Sequence, residues 1–304
     1  MNVSNQRNMA LFEESIRSKY TKRNYLSHLN QFMEFIGINS LEKLSLISQP
    51  ELQCMLEDYL IELKHTKNPN SISSRFQGIK HFCVMNRINL NWDIIHKMFP
   101  PRQKIQNLRS YTTEEIRVLL VNTKNIRNRA LIHFLASTGA RIGVFDHKLS
   151  IKHVRKMPRG CHAVMLYAGH VEEYWAFLTP QASRALRTYH DHRKLHEIFH
   201  EDTPVFTARG THTQLGWSGA RSVVSRTVSK SNISRIRQNN RYDVQTDHGF
   251  RKRFNTILKL DNSVNYNIAE KLMGHKNGLD GIYLTPTLEE LFSEFEKVIQ
   301  KLEV

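Results

Sequence analysis

The chain has 304 residues, long enough for two domains that each bury a core, and carries 44 Lys plus Arg against 28 Asp plus Glu, a formal net charge of +16. That excess points to a polyanionic partner. No apolar run is long enough to cross a bilayer, the first ten residues lack a signal-type core, and Cys54, Cys83 and Cys161 are odd in number and far apart. A membrane protein, a disulfide framework and a zinc ribbon are therefore not expected, and the protein is expected in the cytoplasm with the nucleoid.

From the N-terminus, the apolar spacing predicts a helix over 21–36, with Tyr25, Leu29, Phe32, Met33 and Ile36 on one face and Thr21 as its cap. The SQPE run at 48–51 reads as a capping box with proline in the first turn, opening a helix that carries Leu52, Leu56, Tyr59, Leu60 and Leu63. NPN at 68–70 breaks the chain, and Ile72, Phe76, Ile79 and Cys83 mark a third helix. These make an all-α unit over 1–99. The Pro-led, apolar-poor run that starts at Pro100 is expected as a linker over 100–111, with a second domain over 112–304.

In that second domain TTEE at 112–115 is another capping box. An apolar helix with Ala130, Leu131, Phe134 and Leu135 breaks at Gly139 in STGARIG, 137–143, and so delivers Arg141 just past its end. Two β-prone runs, 163–168 and 171–178, flank Gly169-His170, a two-residue turn of hairpin type. Thr179-Pro180 opens the next helix, whose later part holds His190, His192, His196 and His200, the last three at i, i+4 and i+8. Two imidazoles one turn apart suit a metal, but Arg193 and Lys194 would repel a dication, so a solvated or DNA-facing helix is expected instead and no metal site. Residues 203–242 contain no Asp or Glu while Arg209, Arg221, Arg226, Lys230, Arg235, Arg237 and Arg241 alternate with Ser and Thr. This stretch reads as a surface that tracks DNA phosphates, a merely solvated basic face being the ordinary alternative.

The stretch 246–286 holds the chemistry. His248 and Arg251 are three apart in a run of helical spacing, so both can project from one face. A second helical run over 267–273 ends at Gly274, the residue type of a left-handed stop, and His275 starts a loop. Tyr283 follows a segment, 278–281, whose glycines allow it to swing. Thr285-Pro286 then begins a helix with Leu288, Leu291, Phe292, Phe295, Val298, Ile299 and Leu302 in one stripe. A tyrosine, two histidines and two arginines suit phosphoryl transfer, because a phosphodiester under attack gathers charge on oxygens that planar guanidiniums match bidentately.

In this order and spacing the chain resembles the tyrosine recombinase (phage integrase) family, its archaeal members in particular. LMGH at 272–275 and PTLEEL at 286–291 add to the likeness. The resemblance implies a mainly α protein with a small β-hairpin or sheet: an N-terminal helical core-binding domain and a C-terminal α+β catalytic domain. It implies a site-specific recombinase, an integrase of a mobile element, acting on double-stranded DNA as a homotetramer, with a final helix able to dock on a neighbouring subunit. Tyr283 would attack the scissile phosphate to form a 3′-phosphotyrosine, Arg141 and Arg251 would hold the non-bridging oxygens, His248 would take the phenol proton and His275 would hydrogen-bond the phosphate. No cofactor is implied, since two guanidiniums supply the charge a metal pair would bring.

Two positions depart from the family pattern. The hairpin turn reads AGHVE at 168–172, without the family's lysine, so the proton donor to the leaving 5′ oxygen would be His170, Lys148, Lys152 or Lys156. Three residues after Arg141, where many relatives carry an acid, stands Val144, and Asp146 is the nearest carboxylate. The missing lysine motivates a rival expectation, a catalytically impaired relative that binds DNA as a regulator. A type IB topoisomerase-like enzyme is the second rival, since it uses similar chemistry.

Overall fold

Short polar side chains set where the helices of this chain begin. The computed structural model describes residues 3–104, 108–238, 241–275 and 283–304. The chain divides into two compact units, Met1–Ile105 and Gln106–Val304.

The first unit is helical: α1 (Val3–Glu14), α2 (Lys19–Phe35), α3 (Leu41–Leu46), α4 (Gln49–Thr66), α5 (Pro69–Met85) and α6 (Trp92–Met98). Ser18, not Thr21, caps α2: its Oγ accepts from Thr21 N at 3.4 Å, so Thr21 already lies within the first turn. Ser48 and Asn68 cap α4 and α5, each followed by a proline that loses no hydrogen bond in the first turn. Leu29, Phe32, Leu56, Leu60, Ile72, Phe76, Ile79 and Phe82 form one closely packed core. Cys83 and Cys161 are buried thiols, whereas Cys54 lies on the exposed side of α4.

In the second unit Thr112 and Glu115 complete a capping box at the start of α7 (Thr113–Val121), followed by α8 (Ile126–Thr138) and a 3-10 turn (Ile142–Asp146). Arg109 and Tyr111, within the stretch expected as linker, are built into this unit: Arg109 pairs with Glu115 and Asp243, and buried Tyr111 donates to Thr246 O at 3.0 Å. Next come β1 (Val154–Lys156), β2 (His162–Leu166), β3 (Tyr174–Leu178), α9 (Pro180–Lys194), α10 (Trp217–Lys230), β4 (Arg237–Gln238) and β5 (Arg241–Tyr242). The chain then forms α11 (His248–Leu260), α12 (Tyr266–Leu272), α13 (Leu288–Glu296) and α14 (Ile299–Leu302).

Strands β1, β2 and β3 make an antiparallel sheet in which Val164 lies opposite Val154 and Ala176. Both faces are covered, as the period of two requires. Val164, Leu166, Ala176 and Leu178 join the core around Phe134, Phe145 and Phe206, while Ala163 and Phe177 join a second core with Phe254, Leu258, Phe292 and Phe295. Among the described residues the architecture is mainly α with a small three-stranded sheet and a two-stranded ribbon, as the resemblance implies; β1 and the two-residue strands β4 and β5 are too short and too charged to announce themselves.

Several local expectations are corrected. The β2–β3 connection is not a two-residue turn but runs over 167–173, because Tyr167 leaves the alternation with φ 56° and buries its ring to 4% exposure. The connection closes through Gly169 N, which donates to Glu173 Oε2 at 2.7 Å, and His170 N, which donates to Tyr167 O at 2.8 Å. Helix α9 stops at Lys194, so His196 and His200 lie beyond it and the i, i+4, i+8 row does not form; His190 Nε2–H donates to Val205 O at 2.9 Å. Among the described residues no group of three or more His, Cys, Asp and Glu is placed to hold a metal ion, and no helix is long and apolar enough to cross a membrane.

The last helices start at Thr287 rather than at Thr285-Pro286. Thr287 Oγ1 accepts from Glu290 N at 3.2 Å and Thr287 N donates to Glu290 Oε2 at 2.7 Å, a reciprocal pair that outcompetes the upstream start. Leu291, Phe292, Phe295, Val298 and Leu302 pack onto Phe177, Phe254 and Leu258 of their own unit. Segment 278–281, expected to swing Tyr283, falls outside the described residues.

Candidate active site

The site begins where α8 stops. Gly139 takes φ +55°, and a Cβ there would meet the Phe254 side chain at 2.6 Å, so backbone and packing both require glycine. The turn places Arg141 at the head of the 3-10 turn, half-buried, with Val144 and Phe145 driven into the core behind it. Asp146 serves the fold instead, since its Oδ1 accepts from Trp217 N at 3.1 Å and so caps the start of α10.

Helix α11 brings the next two groups. His248 stands at its exposed first residue and Arg251, one turn on, is 5% exposed. Arg251 Nη1 donates to Gly139 O at 2.9 Å, which fastens it to the turn that carries Arg141. Its Nη2 donates to Met273 O, the carbonyl that ends α12, at 2.6 Å, and lies 2.9 Å from His275 Nε2. A cation at a helix C-terminus is favourably placed. Gly274 at φ +63° makes that end fold back: Gly274 N donates to Lys271 O and His275 N to Glu270 O, both at 2.9 Å, the paired bonds of a Schellman turn. A Cβ at Gly274 would collide with the Tyr174 ring.

The electrostatics show how close these groups are. Burial, first, pulls the Arg251 guanidinium below its ordinary value; the Tyr174 hydroxyl beside it acts to raise it and the Arg141 charge lowers it further. Partial burial also lowers His248, with the Arg251 charge next in weight and Arg141 contributing, a shift that favours the neutral imidazole. Tyr174 is raised by burial against the opposing pull of Arg251 and Arg141, and its hydroxyl makes no well-formed hydrogen bond among the described residues. Two guanidiniums and a buried hydroxyl that feel one another's charge are the groups that suit an anion.

Of the five residues expected to act together, the fold gathers Arg141, His248, Arg251 and His275. Tyr283 lies at the surface, 77% exposed, between His275 and α13. The four candidate proton donors separate clearly. Lys148 and Lys152 both pair with Asp202, at 2.9 and 2.8 Å. Lys156 opens onto a cavity of about 580 Å³ that is also lined by His162, Arg187 and Lys194. His170 sits on the β2–β3 connection with its ring 4.8 Å from His147, which lies 4.7 Å from Tyr167; Tyr167, raised to about 12 chiefly by burial, in turn feels the charges of Arg141 and Arg251. His170 is thus the candidate linked to the site.

The acid-free stretch also resolves. On α10, Val223, Val224 and Val228 face inward while Arg221, Arg226 and Lys230 are exposed on the opposite side. Arg237 and Arg241 are exposed on the β4–β5 ribbon. Arg235 differs: its guanidinium stacks over Tyr242 at 4.1 Å and points Nη1 at Thr246 Oγ1. Sequence reasoning missed Tyr174, Tyr167, His147 and Glu270. Only Glu270 left a signal, five residues before a histidine that follows a helix-ending glycine.

A mainly helical unit with this sheet and this gathering of arginines and histidines is the catalytic fold of a tyrosine recombinase. Solved structures of tyrosine recombinases share the fold. The XerH site-specific recombinase bound to difH substrate in a pre-cleavage complex superposes with a TM-score of 0.60 at 17% identity, over 90% of this chain and 79% of that one. A lambda integrase (75–356) dimer bound to a COC′ core site gives 0.57 at 16%, over 90% of each chain. The Tn1549 transposon integrase with transposon right end DNA gives 0.56 at 13%, over 96% and 99%. The chain belongs to the Phage integrase family, whose profile matches residues 109–280 and so spans Arg141, His248, Arg251 and His275 but ends short of Tyr283. By family and fold it is a tyrosine-type site-specific DNA recombinase. No curated protein matches the sequence.

Proposed function

We propose that this chain cuts and rejoins DNA at a phosphate held between Arg141 and Arg251, with Tyr283 as nucleophile. The observation that carries the reading is the bond from Arg251 Nη1 to Gly139 O, which binds one guanidinium to the turn that presents the other. Tyr283 Oη forms the new bond to phosphorus as the bond to the 5′ oxygen breaks, and a second transesterification reverses the step on another strand, conserving bond energy. The two arginines stabilise the charge on the non-bridging oxygens. Neutral His248 receives the phenol proton, and His170 supplies one to the departing 5′ oxygen.

Double-stranded DNA is the partner, held along the exposed cations of α10 and the β4–β5 ribbon, with the helical unit 1–99 serving as the core-binding domain. A homotetramer is the working assembly, by analogy with the lambda integrase tetramer bound to a Holliday junction. A cytoplasmic, nucleoid-associated protein of a mobile element fits this use. An affinity to the archaeal members of the family is part of the same proposal.

The test is a nicked duplex, cut from DNA flanking the gene, that loses its 5′ fragment after cleavage and traps the covalent intermediate. Wild type is expected to give a denaturant-stable adduct, and Tyr283→Phe to bind equally well and give none. An adduct in the Phe variant would overturn the nucleophile assignment. The absence of lysine from 167–173 favours the silent-regulator reading; binding without any adduct in wild type would select it.

A further inference from the structure

We infer that Glu270 is a positioning residue of this site: it fixes the tautomer and ring orientation of His275 and, through His275, the placement of Arg251. The inference rests on the reading above only for its effect on DNA cleavage; the tautomer itself is a property of the folded chain.

The hydrogen-bond chemistry determines the direction of each bond. A guanidinium only donates, so at the 2.9 Å contact between Arg251 Nη2 and His275 Nε2 the imidazole must accept. The proton of a neutral ring then sits on Nδ1, which faces Glu270 Oε2 at 2.8 Å and donates to it. The chain of bonds runs from Arg251 through His275 to Glu270, and a carboxylate at its end is what makes the Nδ1–H tautomer the stable one. With Nη2 directed at His275 and Met273 O and one Nη1 hydrogen on Gly139 O, the donors of Arg251 left for a phosphate are the second Nη1 hydrogen and Nε–H.

The carboxylate is built to stay charged. Glu270 is 6% exposed, and Lys259 Nζ pairs with its other oxygen. Burial acts to raise its pKa, yet the bonds from Lys259 and His275 hold it below the usual carboxylate range. The backbone repeats the same pairing, since His275 N donates to Glu270 O in the turn that Gly274 makes. Substituting Gln would put an amide that can donate opposite Nδ1, favouring the Nε2–H tautomer, which would set donor against donor at Arg251.

Long-range ¹⁵N correlation of the His275 ring in the DNA-free protein, assigned by its loss in His275→Ala, reads the tautomer directly. Nδ1–H is expected in wild type and a shift toward Nε2–H in Glu270→Gln. Nε2–H in wild type, or an unchanged ring in the variant, would overturn the inference whether or not the protein cleaves DNA. In the suicide-substrate assay, corrected for the folded fraction, Glu270→Gln should slow adduct formation about 10- to 100-fold, the usual cost of losing the group that orients a functional histidine. In a His275→Ala background the same change should add less than about twofold, because it acts through the missing ring. A full additional loss there would assign Glu270 a structural role and refute positioning. A wild type that forms no adduct would sink the cleavage reading and leave the tautomer measurement to decide this one.

Discussion

Helix α11 buries two arginines two residues apart, and their surroundings differ in kind. Arg253, 4% exposed, spends its donors on structure: Nη1 meets Leu302 O at 3.2 Å, and Nη2 meets Lys301 O at 2.8 Å and Thr113 Oγ1 at 3.0 Å, so it clamps α14 to the first turn of α7. Burial lowers it to about 10, and the charge nearest in weight is the carboxylate of Glu114. Arg251 is as deeply placed and also bonds carbonyls, yet the charge beside it is another guanidinium and its neighbours are a histidine and a buried hydroxyl. Depth alone does not mark a functional cation. At Arg253 the Glu114 carboxylate outweighs the like charge of Arg117, whereas at Arg251 the like charge of Arg141 is opposed by phenol hydroxyls, the pattern that makes a buried cation a candidate for binding an anion.

Lysine at each position sharpens this contrast, since lysine keeps the charge and loses the planar fork. Arg251→Lys should slow adduct formation by about 10²- to 10³-fold, the scale of removing one preorganised donor to a transition-state oxyanion, with a far smaller change in melting temperature. Arg253→Lys should lose about 1–3 kcal/mol of unfolding free energy, measured by denaturant titration, because backbone carbonyls are left without partners, and should leave the rate per folded molecule unchanged. If the two variants fail in the same way, the distinction collapses. The smallest effect is expected at the surface: Arg221→Ala and Arg226→Ala should each weaken DNA binding alike on any sequence and reduce the salt-dependence exponent by about 1, and an unchanged exponent would remove α10 from the phosphate-tracking surface.

What is legible in the sequence follows the range of the cause. The break at Gly139 that presents Arg141, the one-turn spacing of His248 and Arg251, and the stop at Gly274 before His275 are local backbone effects, and the chain states them in adjacent residues. The mainly helical class with a small sheet is readable for the same reason. The β2–β3 connection is not, because Tyr167 abandons the strand for a tertiary contact with His147, and a propensity run cannot show that. Helix α9 looks longer in the sequence than it is since nothing local stops it, and Glu270 resembles any polar residue on a short helix until the turn behind it brings His275 onto its carboxylate.

The capping box at Thr287 sets a leash on Tyr283, the proposed nucleophile. Four residues of chain, from Tyr283 to Thr287, span at most about 14 Å between Cα atoms when fully extended, so the Tyr283 backbone stays within that distance of a point that α13 holds against Phe177 and Phe254, and the phenol within that distance plus its own side chain. A phosphate farther away than that would be reached by Tyr283 only if the Thr287 cap opened or α13 lifted off Phe177 and Phe254, and the apolar surface then uncovered would favour association.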